Sequence, residues 1–517
     1  MTCDHWTLAT MRGVVIGLTL GFLAGVMGCA TMPAEVRQAL AKAGDNRPEL
    51  EKVLAHYRQT GDEQKLAAAE FLIANMPGHG YTVAVLKDAD GNEIAYEALD
   101  YENFKEALAV LEAIEQEHGE ADFKRKRFDQ DIDLITAELL IENIDLAFQA
   151  WREKPWAREL TFEAFCEHVL PYRGSNEPLN STRPACLERY ADLNAKLKNP
   201  ADPREAAGLI QRDVGGWIGF NEIYYLHPTD QSFEEMNERG LGRCEDITNM
   251  QMYAMRANGI AAAADYTPFW ANRDNNHAWQ VILDTEGRGK AGLNNRAAKI
   301  YRKMFSMQRD SLGCRKHEDE EVPRWLAGQN YIDVTDQYME TTDVTLSLVN
   351  PVPAGARFAY ICVFNGGEWQ AIHWGEIDDN RVTFTNMGGN IAYLPAYFVD
   401  EKLEPAAPAF VLTKDGQVRQ LLPDEQRPLT IELTATTPET PDADTAIERP
   451  MIVVKPGKPY ELFVWEDGWQ SLGKQTAGDE PVEFTNIPGG GLYWLVAEGS
   501  RRLERIFTIE SGRQIWW

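Results

Sequence analysis

Two short stretches hold residue types that do chemistry together. In "GRCEDITNMQMYAMRANG", from Gly242, Cys244 stands at what reads as the first turn of a helix, and in "NNHAWQVIL", from Asn275, His277 opens a strand. A thiol is nucleophilic as its thiolate, and a helix N-terminus favours that form because unpaired amides and the macrodipole attract negative charge. Gly242 permits the tight loop that would deliver Cys244 to that place. An imidazole alongside takes the thiol proton and later gives a proton to a leaving amine. A third polar group then fixes the direction of the ring. Asp246 in the first helical turn complements the dipole, although its charge would oppose thiolate formation if it faced the sulfur. A cysteine by itself is usually a small buried apolar residue, so the surrounding elements have to decide.

Those elements run from Thr161 to about Tyr338. "EAAGLIQRDVGGWIG" reads as a helix ending at its glycines, and "CEDITNMQMYAMRANG" as a helix closed by Gly259. "IAAAADYTPFW" and "HAWQVIL" read as strands, with Trp270 and Trp279 as core residues. The succession of Cys helix, strand and His-bearing strand between Trp217 and Ala297 resembles the transglutaminase-like superfamily, whose fold is papain-like. That resemblance implies Cys244 as nucleophile and His277 as general base. The family's usual Asp sits on the strand returning after "HAW", but "GKAGLNNRAAKIYRK" offers none. Asn294 or Asn295 takes the place best, as in a Cys, His, Asn set, and a one-residue slip of register swaps the two. Asp284 lies too far along the strand of His277 itself, about 23 Å if extended. Asp333, in "YIDVTDQY", qualifies only if that segment folds back beside "HAW".

Before this region, Pro33 to Trp156 spaces its apolar residues at three and four, as in "EQKLAAAEFLIANM" and "DIDLITAELLIENIDLAFQAW", and reads as amphipathic helices with a scaffold or docking role. After it, short strands alternate with turn residues, and an internal repeat appears at a constant spacing. Trp369 and Trp469, Val382 and Val482, Phe384 and Phe484, Asn386 and Asn486, and Tyr393 and Tyr493 all match. Two related β-sandwich modules follow, with Phe and Tyr facing their cores, "FTNMGG" and "FTNIPGG" forming the same turn, and "TATTPETPDADTA" linking the copies. The expected fold is α+β. Its parts are a leader over 1–28, a helical domain over 29–156, the transglutaminase-like core over 157–342, and β-sandwiches over 343–435 and 436–517.

The chain of 517 residues carries a formal net charge of -29, which argues against a nucleic-acid partner. "MRGVVIGLTLGFLAGVMGCA" has a signal peptide's layout, and Met11 with Arg12 suits its start better than Met1. "VMGC" resembles a bacterial lipoprotein processing site, which implies cleavage before Cys29, lipidation of its thiol, membrane anchoring and residence in the cell envelope. Ala30 points by analogy to the outer membrane. Of the remaining cysteines, Cys166 and Cys186 are candidates for a disulfide. With no CxxC pair, and with His227, His317 and His373 lacking ligand spacing, neither metal nor cofactor is expected. The expected activity is opening of a peptide or amide bond in a peptide, protein or cell-wall substrate through an acyl-enzyme. Water is the expected acceptor, since it is abundant and nothing marks an amine site. The alternative is a non-catalytic surface lipoprotein that binds glycan or protein.

Overall fold

The structure, a computed structural model, describes residues 32–293, 295–441, 448–479 and 481–517. The leader, Cys29 and Asn294 lie outside the described residues. No helix among the described residues is long and apolar enough to cross a membrane.

The N-terminal region contains α1 (Ala34–Lys42), α2 (Arg47–Thr60), α3 (Glu63–Asn75), α4 (Phe104–His118), α5 (Asp131–Leu134) and α6 (Ala137–Glu153). Asp62 and Thr136 cap α3 and α6, each accepting a backbone amide of the first turn. The all-helical expectation is corrected by a three-stranded sheet in the order β2-β1-β3, formed by β1 (Gly80–Lys87), β2 (Glu93–Ile94) and β3 (Asp122–Gln130). β3 reads "DFKRKRFDQ" and is largely exposed, so it lacks the apolar alternation that marks a half-buried strand.

The N-terminal helices share one core with the sheet that follows. Leu54, Leu72 and Leu140 cluster with Ala261, Ala263, Val281 and Leu283. That sheet comprises β6 (Ala262–Thr267), β7 (His277–Ile282), β8 (Tyr301–Lys303) and β9 (Tyr331–Asp333), ordered β7-β6-β8-β9. On its other face, Ala262 and Ala264 pack with helices of the central region. These are chiefly α10 (Pro203–Trp217) and α12 (Cys244–Ala257), which follow α7 (Phe162–His168), α8 (Arg183–Arg189) and α9 (Leu193–Lys196), with α11 (Phe233–Arg239) between them. The alanine run of β6 is therefore covered on both faces, and its small side chains let helices approach from each side. α10 continues through Gly215 and Gly216 to Trp217 instead of stopping at them. α12 does end at its glycine: Gly259 has φ 72°, a left-handed position that closes the helix. Just ahead of α12, β4 (Gly219–Phe220) and β5 (Leu241–Gly242) pair in parallel.

The first C-terminal module contains β10 (Thr341–Ser347), β11 (Phe358–Asn365), β12 (Glu368–Asp378), β13 (Arg381–Gly388), β14 (Ile391–Val399), β15 (Lys402–Pro405), β16 (Phe410–Leu412) and β17 (Val418–Gln420). They run β10-β13-β12-β11-β14-β16-β17, with β15 on β14. β18 (Asp424–Leu433) opens the second module, because it pairs with β25 (Val482–Gly489) as β10 pairs with β13. The second repeat therefore begins ahead of the expected boundary at 436. The described part of the expected linker forms β19 (Ala435–Thr437) and β20 (Thr440–Pro441), which pair with β22 (Ile452–Val453) and β21 (Glu448–Arg449) beyond it, and 442–446 lie outside the described residues. β23 (Pro459–Trp465), β24 (Trp469–Thr476), β26 (Tyr493–Ala497), β27 (Ile506–Glu510) and β28 (Arg513–Trp516) complete a sheet ordered β24-β23-β26-β27-β28.

The repeated "FTN" is a bulge inside a strand, not a turn. Thr385 with Asn386, and Thr485 with Asn486, each stand opposite a single residue of the neighbouring strand, and both asparagines take positive φ, 52° and 58°. Phe384, Phe484, Tyr393 and Tyr493 are buried, as expected of core residues. Every residue of β11 is buried. Ala359, Ile361 and Val363 face the module's own interior, whereas Phe358, Tyr360, Cys362 and Phe364 meet Tyr301, Leu326 and Tyr331 of the central domain and Trp465 and Trp494 of the second module. Trp369 and Trp469, equivalent in the repeat, converge on Trp465, with ring centres 5.4 and 5.1 Å from it.

Candidate active site

A Cβ on Gly242 would lie 2.7 Å from that of Asp246, so the chain enters α12 along a path that only glycine fits. Asp246 is buried. Its Oδ1 accepts from the amide of Gln231 at 3.0 Å and its Oδ2 from the amide of Arg243 at 2.9 Å, which ties the entry loop to the first turn. Burial, with Asp230 adding to it, pushes this carboxyl above its ordinary pKa. Cys244, half-buried, sits between two charged residues. Arg243 pairs with Asp230 at 2.6 Å, and Glu245 is held by Lys303 and by the hydroxyl of Ser175, which donates at 3.0 Å. Burial works against both cations, yet Asp230 and Glu245 outweigh it and hold Arg243 and Lys303 above their ordinary pKa. The helix N-terminus favours a thiolate, while the two cations nearby are each paired with a carboxylate.

Thr248, one turn beyond Cys244, donates to the carbonyl of Ala278 at 3.3 Å. Positions four apart share a helix face, so the face that bears Cys244 lies against the start of β7, where His277 stands. Among the described strands β7 is at one edge of the sheet, paired with β6, and Thr267 is opposite His277. The imidazole lies between Trp270 and Trp279, with ring centres 6.0 and 5.4 Å away. Both tryptophans are buried, as a core role requires. Trp279 Nε1 donates to the Tyr338 hydroxyl at 2.8 Å, and that hydroxyl donates to Asp265 Oδ2 at 2.7 Å. Arg302 binds both oxygens of Asp265, at 2.8 and 2.9 Å, and neither side chain reaches solvent. This polar support beneath the His277 strand is absent from the sequence reading. Its one signal was an acid ending an alanine run.

The return strand β8 pairs with β6, so hairpin register with β7 does not choose between the asparagines. Asn295 is the described one. It is buried, its Oδ1 accepts from Asn272 Nδ2 at 3.2 Å, and its segment bridges the loop at Trp270 through Ala297. Asp333 lies on β9, three strands from β7, and is engaged by Lys299 and by the Thr335 hydroxyl at 2.6 Å. Asp284 accepts amides of its own turn. Cys166 and Cys186, the candidates for a disulfide, are free thiols in separate cores; burial drives both pKa values up, that of Cys186 to about 12.

His277 opens onto a cleft of about 1170 Å³. Arg243 and Glu245, the neighbours of Cys244, form one part of its wall with Asn276 and Ala278. Trp325, Trp369, Trp465 and Trp469 form another. The aromatic residues of the two β modules thus face the Cys and His elements across one space.

Residues 191–288 match the model of the transglutaminase-like superfamily. This chain carries a transglutaminase-like domain. The matched segment contains Cys244 and His277 and runs from α9 to the turn after β7. The domain belongs to a superfamily of thiol-dependent enzymes. No curated protein matches the chain.

Proposed function

We propose that the protein is an exported, lipid-anchored thiol enzyme of the cell envelope that opens a peptide or amide bond through an acyl-enzyme at Cys244. His277 takes the thiol proton, and the sulfur attacks the carbonyl carbon. The C–N bond breaks and the leaving amine departs with a proton from the imidazolium. Water, deprotonated by His277, then attacks the thioester, releasing a carboxylate and restoring the thiol. Asn295 supplies the orienting amide. The anchor is the lipid on Cys29, and the substrate is a peptide, protein or cell-wall peptide.

The observation that carries this reading is that the transglutaminase-like match contains both Cys244, opening α12, and His277, opening the strand against which that helix packs. The test is to incubate cell-wall peptides and a protein library with wild type and with Cys244→Ala, and to map new termini by mass spectrometry. New carboxylate ends made only by wild type are the expected result, and new isopeptide links would assign transfer to an amine instead. A second reading, a glycan- or protein-binding lipoprotein without turnover, draws on the aromatic side of the cleft. Identical product profiles for the two proteins would favour it over the enzyme.

A further inference from the structure

His277 is the first residue of an edge strand, so its direction depends on the loop that precedes it, Trp270 to Asn276. Two side chains from the β modules hold that loop. Asn365, the last residue of β11, is 4% exposed. Its Oδ1 accepts from the amide of Asn275 at 3.0 Å, and its Nδ2 is shared among the carbonyls of Trp270, Arg273 and Asn275 at 3.0, 2.9 and 3.0 Å. Asn275, two residues before His277, has φ 75°, a left-handed conformation that asparagine adopts more readily than most residues. Asn365 grips that residue through both its amide and its carbonyl.

Arg505, just ahead of β27 in the second module, is 1% exposed. Its Nη2 donates to the carbonyls of Ala271 and Trp517 at 2.7 and 2.9 Å, and its Nη1 donates to that of Phe364 at 2.7 Å and meets Asp274 at 3.4 Å. The amide of Gly366, in the hairpin after β11, donates to Asp274 as well, at 2.8 Å. The rigid fork of one guanidinium therefore joins the His277 loop, the first module and the C-terminus at one point.

We propose that Asn365 and Arg505 are positioning residues that set the imidazole of His277 against Cys244, so that the catalytic unit comprises the transglutaminase-like domain together with both β modules. Both residues lie beyond the matched segment 191–288. The inference rests on reading Cys244 and His277 as nucleophile and base.

The test is the rate at which iodoacetamide alkylates Cys244, followed by peptide mass spectrometry between about pH 5 and pH 9. It is run on full-length wild type, His277→Ala, Asn365→Ala and Arg505→Lys, with a thermal melt of each. In wild type the rate persists into acid, because the imidazole holds the thiolate. In Asn365→Ala the rate near pH 6 falls about fivefold or more towards that of His277→Ala, as expected when the imidazole no longer stabilises the thiolate. Arg505→Lys, which keeps the charge but not the fork, falls in the same direction by less. Phe484→Leu, a core change in the second module, serves as the control: it lowers Tm and leaves the profile as in wild type. If Asn365→Ala does not fold, Arg505→Lys carries the same readout. Wild-type profiles in the folded positioning variants, alongside an altered one in His277→Ala, overturn the positioning role alone. Coincident profiles for wild type and His277→Ala overturn the Cys and His reading itself, and the positioning role falls with it.

Discussion

Cys244 opens α12, and its two neighbours are tied into ion pairs, Arg243 with Asp230 and Glu245 with Lys303. These features were open to sequence reasoning in different degrees. Cysteine at a helix start and histidine at a strand start are visible as residue types at a spacing, whereas Lys303 acts through a fold that brings it back beside Glu245. Asp265 was hidden for the same reason, since its partner Arg302 stands on another strand. Their ion pair is fully buried, so Asp265→Ala leaves an uncompensated guanidinium and is expected to cost about 3–5 kcal/mol in urea unfolding. Tyr338→Phe, which removes one hydroxyl from the same network, is expected to cost about 1–2 kcal/mol. Equal costs for the two would contradict the ion pair as the main support beneath the His277 strand.

At the scale of elements, α12, β6 and β7 followed their patterns because each is regular, apolar and closed by a recognisable signal. Gly259 is one such signal. An added methyl there would meet the carbonyl of Ala150 and the Cβ of Ala157, each at 3.1 Å, in a left-handed backbone position. Gly259→Ala is therefore expected to lower stability by about 1–3 kcal/mol, read from the midpoint of denaturant unfolding. A midpoint unchanged from wild type would mean that the helix end relaxes freely. β3 escaped notice because its charged residues follow no apolar period, and the order β7-β6-β8-β9 escaped notice because β8 joins β6 after a long irregular segment. That crossover sets Asp333 three strands from β7 and keeps β8 from forming a hairpin with it. In the β modules the repeat was plain in the sequence, but the bulges at Asn386 and Asn486 and the early start of the second copy at β18 depend on which strands pair.

Over the whole molecule, the expected domain boundaries cross shared cores. α2, α3 and α6 pack on one face of the central sheet, and Tyr301, Leu326 and Tyr331 pack with Phe358 and Trp494 of the β modules. A fragment ending at residue 342 would expose that second core, so it is expected to be insoluble or to bind an apolar dye, and a cooperative melt of the fragment would show otherwise. Acid sensitivity is also a property of the buried interior. Burial, with Arg256 and Arg302 contributing, lowers His168 from 6.5 to about 3. The folded protein keeps this ring neutral, so the unfolded chain binds more protons below 6.5, and stability is complete above that pH and declines as pH falls. At pH 5 the loss amounts to about 2 kcal/mol, and in His168→Gln the fall of Tm between neutral pH and pH 5 is expected to be shallower. Parallel slopes would contradict this. The proposed enzyme has an activated thiol, Cys244, between two residues of a cleft lined by the central region and both β modules, and the most direct test is the rate of labelling of Cys244 by a thiol-reactive probe at neutral pH. Fast labelling in wild type that slows about tenfold or more in His277→Ala is the predicted result, and equal, slow labelling in both would contradict it.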